Sequence, residues 1–302
     1  TVFTENGIAY ASSDGYIGGV GAKVAATVDD AIKSLGADGG EVRVEGDMII
    51  SDPNALESSG DARAAVTVKG FGDDLAARKA NRLWFQKTAV GREAAYNGDI
   101  TYDEITIKAP IDEAGLYSNG VTVTFGQNLL TEKTVKGNTV IDATGSKSIS
   151  VDFGAYYNQK GESRMVINGG SFGRAATVFA WVSGNASTKM DAYYRFCGGN
   201  VDTVYGGIRN TAAGILTNTG DVTYDFEGGT FGYVFTGHVR FGKSTGLIRY
   251  NVSGGTFTNG IIFGNDGGSA DKSQVGNTVV KIDGASEKLS AVTVKGNSLL
   301  FK

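Results

Sequence analysis

The sequence predicts an all-β solenoid, a single stack of coils, and three observations carry that prediction. Glycine pairs recur at Gly169-Gly170, Gly198-Gly199, Gly228-Gly229 and Gly254-Gly255, at intervals of 29, 30 and 26 residues. Each pair is entered by the same alternation of large and polar side chains, so that RMVINGGSF, YYRFCGGNV, TYDFEGGTF and RYNVSGGTF are one unit written four times. Composition agrees, with 46 glycines and only 2 prolines in 302 residues, roughly twice ordinary glycine usage. A near-fixed period of this size marks a solenoid, in which a unit has no core of its own and is stable only against its neighbours.

The first organised stretch is TVDDAIKSLGADGGEVRVEGDMII. Val28, Ala31, Ile32 and Leu35 recur at helical spacing behind the N-cap candidate Thr27, with Asp29 and Asp30 in the first turn. This short helix ends at Gly36 and is expected to cap the open end of the stack, whose first coil would otherwise expose an edge. After Gly39-Gly40, Val42 and Val44 and then Met48 and Ile50 read as two strands separated by a turn at Gly46-Asp47.

Residues 51–118 break the rhythm. Pro53, the charged stretch DDLAARKANR from Asp73 to Arg82 and the apolar Leu83-Trp84-Phe85 predict an elaborated loop or short helix inserted between coils. Alternation resumes at Ile100, Tyr102, Ile105 and Ile107, at Val121, Val123 and Phe125, and at Val140-Ile141 and Ile149 to Phe153. The whole, 1–302, reads as a single domain with an N-terminal cap over about 1–50, elaborated loops over about 51–118 and regular coils over about 119–302.

The glycine pairs set a register. Two residues before the first glycine stand Ile167, Phe196, Phe226 and Val252, and four before it Met165, Tyr194, Tyr224 and Tyr250. Strand side chains alternate between faces, so both columns point inward and like residues stack from coil to coil at about 4.8 Å. Phe172, Val201, Phe231 and Phe257 form a third apolar column beyond the turn, and VVKIDGAS adds a fifth coil with Val280 and Ile282 inward.

The helix followed by GG-x-V-x-V-x-G resembles the start of the secreted right-handed parallel β-helix proteins of pectate-lyase-like fold. FEGGTFGYVFTG and FCGGNVDTVYGGI are similar to the GGTF/VYGG repeats of bacterial cell-surface β-helix proteins. The resemblance covers the beginning of the chain and about 139–284. It implies a right-handed parallel β-helix with a short N-terminal capping helix, secreted or displayed on a cell surface, and it carries no catalytic residue over to this sequence.

A net charge of −4 argues against nucleic acid, whose phosphates require concentrated Lys and Arg. Cys197 is the only cysteine and His238 the only histidine, so neither a disulfide framework nor a zinc motif is expected, and no apolar run approaches membrane-spanning length. The start at Thr1 fits a processed or trimmed segment.

Inward columns imply outward ones: Arg195, Asp225, Asn251 and Lys281 in one, Asn168, Cys197, Glu227, Ser253 and Asp283 in the next. Asp225 and Glu227 lie two residues apart on one face, with Cα atoms roughly 6.5 to 7 Å apart, a separation compatible with paired-carboxylate glycoside hydrolysis. The competing reading is a solvated face on which Arg195 pairs with Asp225 one coil away. Cys197 faces out with no histidine to activate it.

Beyond the turn, Arg209, then His238 and Arg240, then Asn265 and Asp266 fall at similar offsets in three consecutive coils and would line a groove. The resemblance implies a use for such a groove, because polysaccharide lyases of that fold family remove the proton alpha to a uronate with a basic side chain, often with Ca²⁺ held by carboxylates; otherwise no cofactor or metal is expected. The competing reading makes these ordinary surface residues and His238 a hydrogen-bonded loop residue. Trp84, Tyr156 and Tyr157 are candidate platforms for sugar rings, the tyrosines lying in the loop-like AYYNQKGES. The expected function is a non-catalytic adhesive or polysaccharide-binding module, a monomer, with a trimeric fibre as the other assembly. A polysaccharide lyase or glycoside hydrolase is the alternative.

Overall fold

The computed structural model describes residues 4–18, 24–50, 63–85, 98–108, 115–117, 122–132, 135–136, 139–140, 152–156, 162–180, 183–210, 214–263, 278–282 and 292–294. The fold is a parallel β-solenoid with short helices. The chain divides into two compact units, the first comprising 1–117, 121–152 and 169–171 and the second 118–120, 153–168 and 172–302.

The first unit contains β1 (Thr4–Glu5), β2 (Ile8–Ser12), α1 (Val28–Ser34), β3 (Gly40–Glu45), β4 (Asp47–Ile50), β5 (Arg63–Gly70) and α2 (Leu75–Ala80). It continues with β6 (Arg82–Phe85), β7 (Gly98–Tyr102), β8 (Thr106–Lys108), β9 (Gly115–Tyr117), β10 (Thr122–Phe125), β11 (Leu130–Glu132) and the antiparallel pair β12 (Val135–Lys136) and β13 (Thr139–Val140). One sheet runs β1-β2-β3-β5-β7-β10 and a second β4-β6-β8-β11. The strand pairings in these two sheets are parallel except that of β1 with β2.

Thr27 caps α1, its Oγ1 accepting from the Asp30 N–H at 3.1 Å, and Val28, Ala31 and Ile32 are buried. Gly36 ends the helix with φ of 66°, a left-handed turn that glycine adopts without a Cβ clash. The expected short helix is present near the start of the stack, and the N-terminal end holds more than the helix. Strand β2 precedes it as the first parallel rung, and the exposed two-residue β1 pairs antiparallel along the outer edge of β2, where an unpaired strand edge would invite association.

Within 51–118 the strands expected about Ile100–Tyr102 and Ile105–Ile107 are β7 and β8, and β5 and β6 are further rungs that the sequence reading did not place. Val66 and Val68 are buried in β5, a full rung between β3 and β7. The charged stretch forms α2, N-capped by Asp74, whose Oδ1 accepts from the Ala77 N–H at 2.8 Å. Asn81 then ties helix to coil: its Nδ2 donates to the Phe71 carbonyl at 2.7 Å and its Oδ1 accepts from the Gly46 N–H at 2.8 Å. Val140 lies in the β12–β13 pair rather than in a coil; Val121, Ile141 and Ile149 lie outside the described residues.

The second unit contains β14 (Asp152–Tyr156), β15 (Ser163–Ile167), β16 (Ser171–Ala180), β17 (Ala186–Thr188), β18 (Ala192–Phe196), β19 (Asn200–Asn210), β20 (Leu216–Asn218), β21 (Val222–Phe226) and β22 (Thr230–Phe235). After these come β23 (Val239–Arg240), β24 (Gly242–Ser244), β25 (Ile248–Val252), β26 (Thr256–Phe257), β27 (Ile261–Phe263), β28 (Thr278–Ile282) and β29 (Val292–Val294). The coils of this unit contribute to three sheets, β15-β18-β21-β25-β28, β16-β19-β22-β27-β29 and, from three of the coils among the described residues, β17-β20-β24.

The inward columns are as expected. Met165, Tyr194, Tyr224 and Tyr250 are in the core, as are Ile167, Phe196, Phe226 and Val252, and Phe172, Val201, Phe231 and Phe257. Val280 pairs with Tyr250 and Ile282 with Val252, which places the fifth coil in the same register. The rings of Phe196 and Phe226 stack at 5.0 Å and 6°, those of Tyr224 and Tyr250 at 5.1 Å and 6°, and Phe231 meets Phe226 edge-on at 4.8 Å and 89°. Such ring pairs add roughly 0.5–1.5 kcal/mol each beyond area burial. The buried Tyr224 hydroxyl is satisfied across the core, donating to the Tyr205 carbonyl at 2.9 Å and lying 2.8 Å from Thr177 Oγ1.

The two glycines of each pair are required for different reasons. The second has positive φ, 87° at Gly170, 75° at Gly199, 97° at Gly229 and 99° at Gly255. A Cβ on the first would collide with a backbone carbonyl oxygen of the preceding coil, that of Cys197 for Gly228 and that of Glu227 for Gly254. The stacking distance itself forbids a side chain there.

Candidate functional site

The outward face of the β15-β18-β21-β25-β28 sheet holds the first set of candidates. Register aligns Arg195, Asp225, Asn251 and Lys281 in one column. The expected bond between Arg195 and Asp225 is not the one that forms. Arg195 reaches diagonally to Glu227, Nε to Oε1 at 2.8 Å and Nη2 to Oε2 at 2.8 Å, because two parallel N–H···O bonds match the planar guanidinium to a carboxylate. Asp225 accepts instead from the Tyr193 hydroxyl at 2.6 Å and from Asn251 Nδ2 at 2.7 Å.

This arrangement does not suit acid–base hydrolysis. The Arg195 guanidinium holds the Glu227 carboxyl below its usual range, whereas a general acid needs its pKa raised. The Asp225 hydrogen bond pushes the Tyr193 phenol up to about 12. Cys197 lies in the same network, its Sγ 3.7 Å from Glu227 Oε2, and burial raises its thiol pKa, leaving it protonated and poorly nucleophilic.

The second set does not come together as expected. In register, Arg209 lies beside Val239, and Arg240 beside Asn210. The two arginines are therefore one residue out of step, not one column. His238 is fully buried, and its Nδ1 accepts from the Ile208 N–H at 2.8 Å. It is removed from any surface groove, and the hydrogen-bonded reading of this histidine is the one realised. Room for it comes from glycines, since a Cβ at Gly207 or Gly242 would strike the imidazole ring. Asn265 and Asp266 lie outside the described residues, as does the side chain of Arg240. Among the described residues no three His, Cys, Asp or Glu side chains are grouped to hold a metal ion.

Of the platform candidates, Tyr157 and the side chains of Trp84 and Tyr156 lie outside the described residues. The backbone at Tyr156 is the last residue of β14, a strand rather than the expected loop, and Trp84 sits in β6 between Ile49 and Lys108.

A different aromatic row runs outward through the second sheet, from the buried Tyr205 through the half-buried Phe235 to the exposed Tyr233. Tyr233 and Phe235 lie two apart on β22 with rings nearly parallel at 5.9 Å and 14°, and Tyr205, the register partner of Phe235, stacks on it at 5.7 Å and 14°. Tyr233 is 44% exposed while Val234 between them is fully buried. The sequence signal was the string GYVF directly after the inward Phe231. Phe231 and Val234 are three apart yet both buried, so strict alternation fails and turns Tyr233 and Phe235 outward.

Fold and surface together define a parallel β-solenoid with a charge-paired ladder on one face and an aromatic row on another. No family model matches the chain, and neither a curated protein nor a solved structure is significantly similar to it. Among the described residues no helix is long and apolar enough to cross a membrane.

Proposed function

We propose that this chain is a non-catalytic, extracellular β-solenoid module whose outer face binds polysaccharide at a secreted or cell-surface location. The observation that carries the reading is the row Tyr205, Phe235 and Tyr233, which presents an exposed tyrosine ring braced by two parallel rings. Aromatic rings offer an apolar body and a polar tip, a match for sugars, whose ring faces are apolar and whose rims carry hydroxyls. Repetition of coils gives an extended surface along which a linear polymer can lie. The glycine-pair motifs, similar to those of bacterial cell-surface β-helix proteins, support the location.

The hydrolase alternative, with Asp225 and Glu227 as its carboxylates, loses support from their engagement with Tyr193, Asn251 and Arg195. The lyase alternative loses support from the register of Arg209 and Arg240. A polysaccharide panel assayed for reducing ends and for the absorbance of unsaturated uronates, in parallel with retention on the immobilised polymers, separates the readings. Retention without turnover is expected; turnover of any polymer that is lost in Glu227→Gln would establish the hydrolase instead.

A further inference from the structure

His238 is the only histidine in the chain and is fully buried in the second unit, where its Nδ1 accepts a 2.8 Å hydrogen bond from the Ile208 backbone N–H. A backbone amide can only donate, so the ring is the neutral tautomer with its proton on Nε2. The ring fills space left by Gly207 on β19 and Gly242 on β24. It thereby joins the end of one coil to the turn of the next.

We propose that His238 is a proton-sensitive latch: the closed β19–β24 junction keeps the ring neutral beneath the Ile208 N–H, and mildly acidic surroundings favour the opened junction, in which Nδ1 is free to take a proton from solvent. Protonation would set two donors against each other and bury a positive charge, which is strongly disfavoured in the interior. The charged residues of the segments about the ring are basic in sequence. Arg209 on β19, Arg240 on β23 and Lys243 on β24 are all cationic, and 204–210 and 234–244 contain no Asp or Glu. Tyr250, whose hydroxyl lies against Gly206, is held neutral by burial.

The sign follows from linkage. The folded state resists the proton and the unfolded chain accepts it at an imidazole pKa of about 6.5, so the histidine's contribution is present above that pH and declines as pH falls below it. With one extra proton bound on unfolding, the unfolding constant rises about tenfold per pH unit below about 6.5.

The test compares urea unfolding of the wild type and His238→Asn between pH 5 and pH 7.5, with NMR of the single histidine Cε1–H across the same range. Asparagine places Oδ1 where Nδ1 stood and does not titrate. The expected result is a wild-type slope steeper by about one proton than that of the variant in the lower part of the range, with the wild-type ring in its neutral form as long as the protein is folded. Equal slopes, or a histidine that titrates near 6.5 while the fold stays intact, overturn the latch. Should the variant not fold, the wild-type NMR titration decides alone.

Discussion

Arg195 grips Glu227 of the next coil through two 2.8 Å hydrogen bonds, although the residue beside it in the ladder is Asp225. The pair is exposed, with 45% and 39% of the two side chains open to solvent. Salt screens such a pair, so Arg195→Ala is expected to lower the urea midpoint slightly at low ionic strength and not measurably in 1 M salt.

The same pair sets a pH dependence. Arg195 lowers the folded-state pKa of Glu227, so its stabilisation is fully present above the unfolded glutamate pKa of about 4.3 and is lost as pH falls through the lower folded value. Unfolding curves of wild type and Glu227→Gln should therefore differ at pH 6 and converge in acid. A gap that widens on acidification would contradict the assignment.

The glycine pairs make separable predictions. Gly228→Ala drives a Cβ into the Cys197 carbonyl oxygen of the preceding coil, and Gly229→Ala strains a residue with φ of 97°. Overpacking costs about 1–3 kcal/mol and the left-handed backbone about 1–2 kcal/mol. Gly184→Ala, whose Cβ would meet nothing within 4 Å, is the control and should be neutral or slightly stabilising. Denaturant midpoints measure all three.

Tyr224→Phe removes a hydroxyl that lies 2.8 Å from Thr177 Oγ1 and donates to the Tyr205 carbonyl at 2.9 Å. The Tyr205 carbonyl would lose this donor in the core, while Thr177 Oγ1 keeps its 2.9 Å bond to the Gly206 carbonyl, so a loss of about 1–3 kcal/mol is expected in chemical denaturation. Phe226→Ala, which opens a cavity among Phe196, Tyr224, Phe231, Tyr250 and Phe257, should cost about 3–5 kcal/mol.

What the sequence made legible was whatever repeats. Phe196 and Phe226 could be assigned to the core because a glycine pair fixed their phase and strand side chains alternate. Strand β2 was missed because IAYAS lacks a glycine pair to set its phase, and β5 because RAAVTVKG is bounded by segments that depart from the period. At the candidate site the limits were of another kind. The diagonal reach of Arg195 depends on side-chain length and geometry, not on register. The burial of His238 depends on space left by Gly207 and Gly242, which only the stacked coils reveal. Tyr233 and Phe235 were missed because alternation lapses between Phe231 and Val234.

The central claim is that the solenoid holds polysaccharide on its aromatic row, and retention of wild type and Tyr233→Ala on a panel of immobilised polysaccharides tests it most directly. Tyr233 is 44% exposed, so the substitution should leave the fold intact by circular dichroism. Wild type is predicted to be retained by at least one polymer and Tyr233→Ala to lose about tenfold or more in affinity, the equivalent of about 1.4 kcal/mol. A wild-type protein that no polymer retains, or a variant that binds as tightly as wild type, would contradict the account.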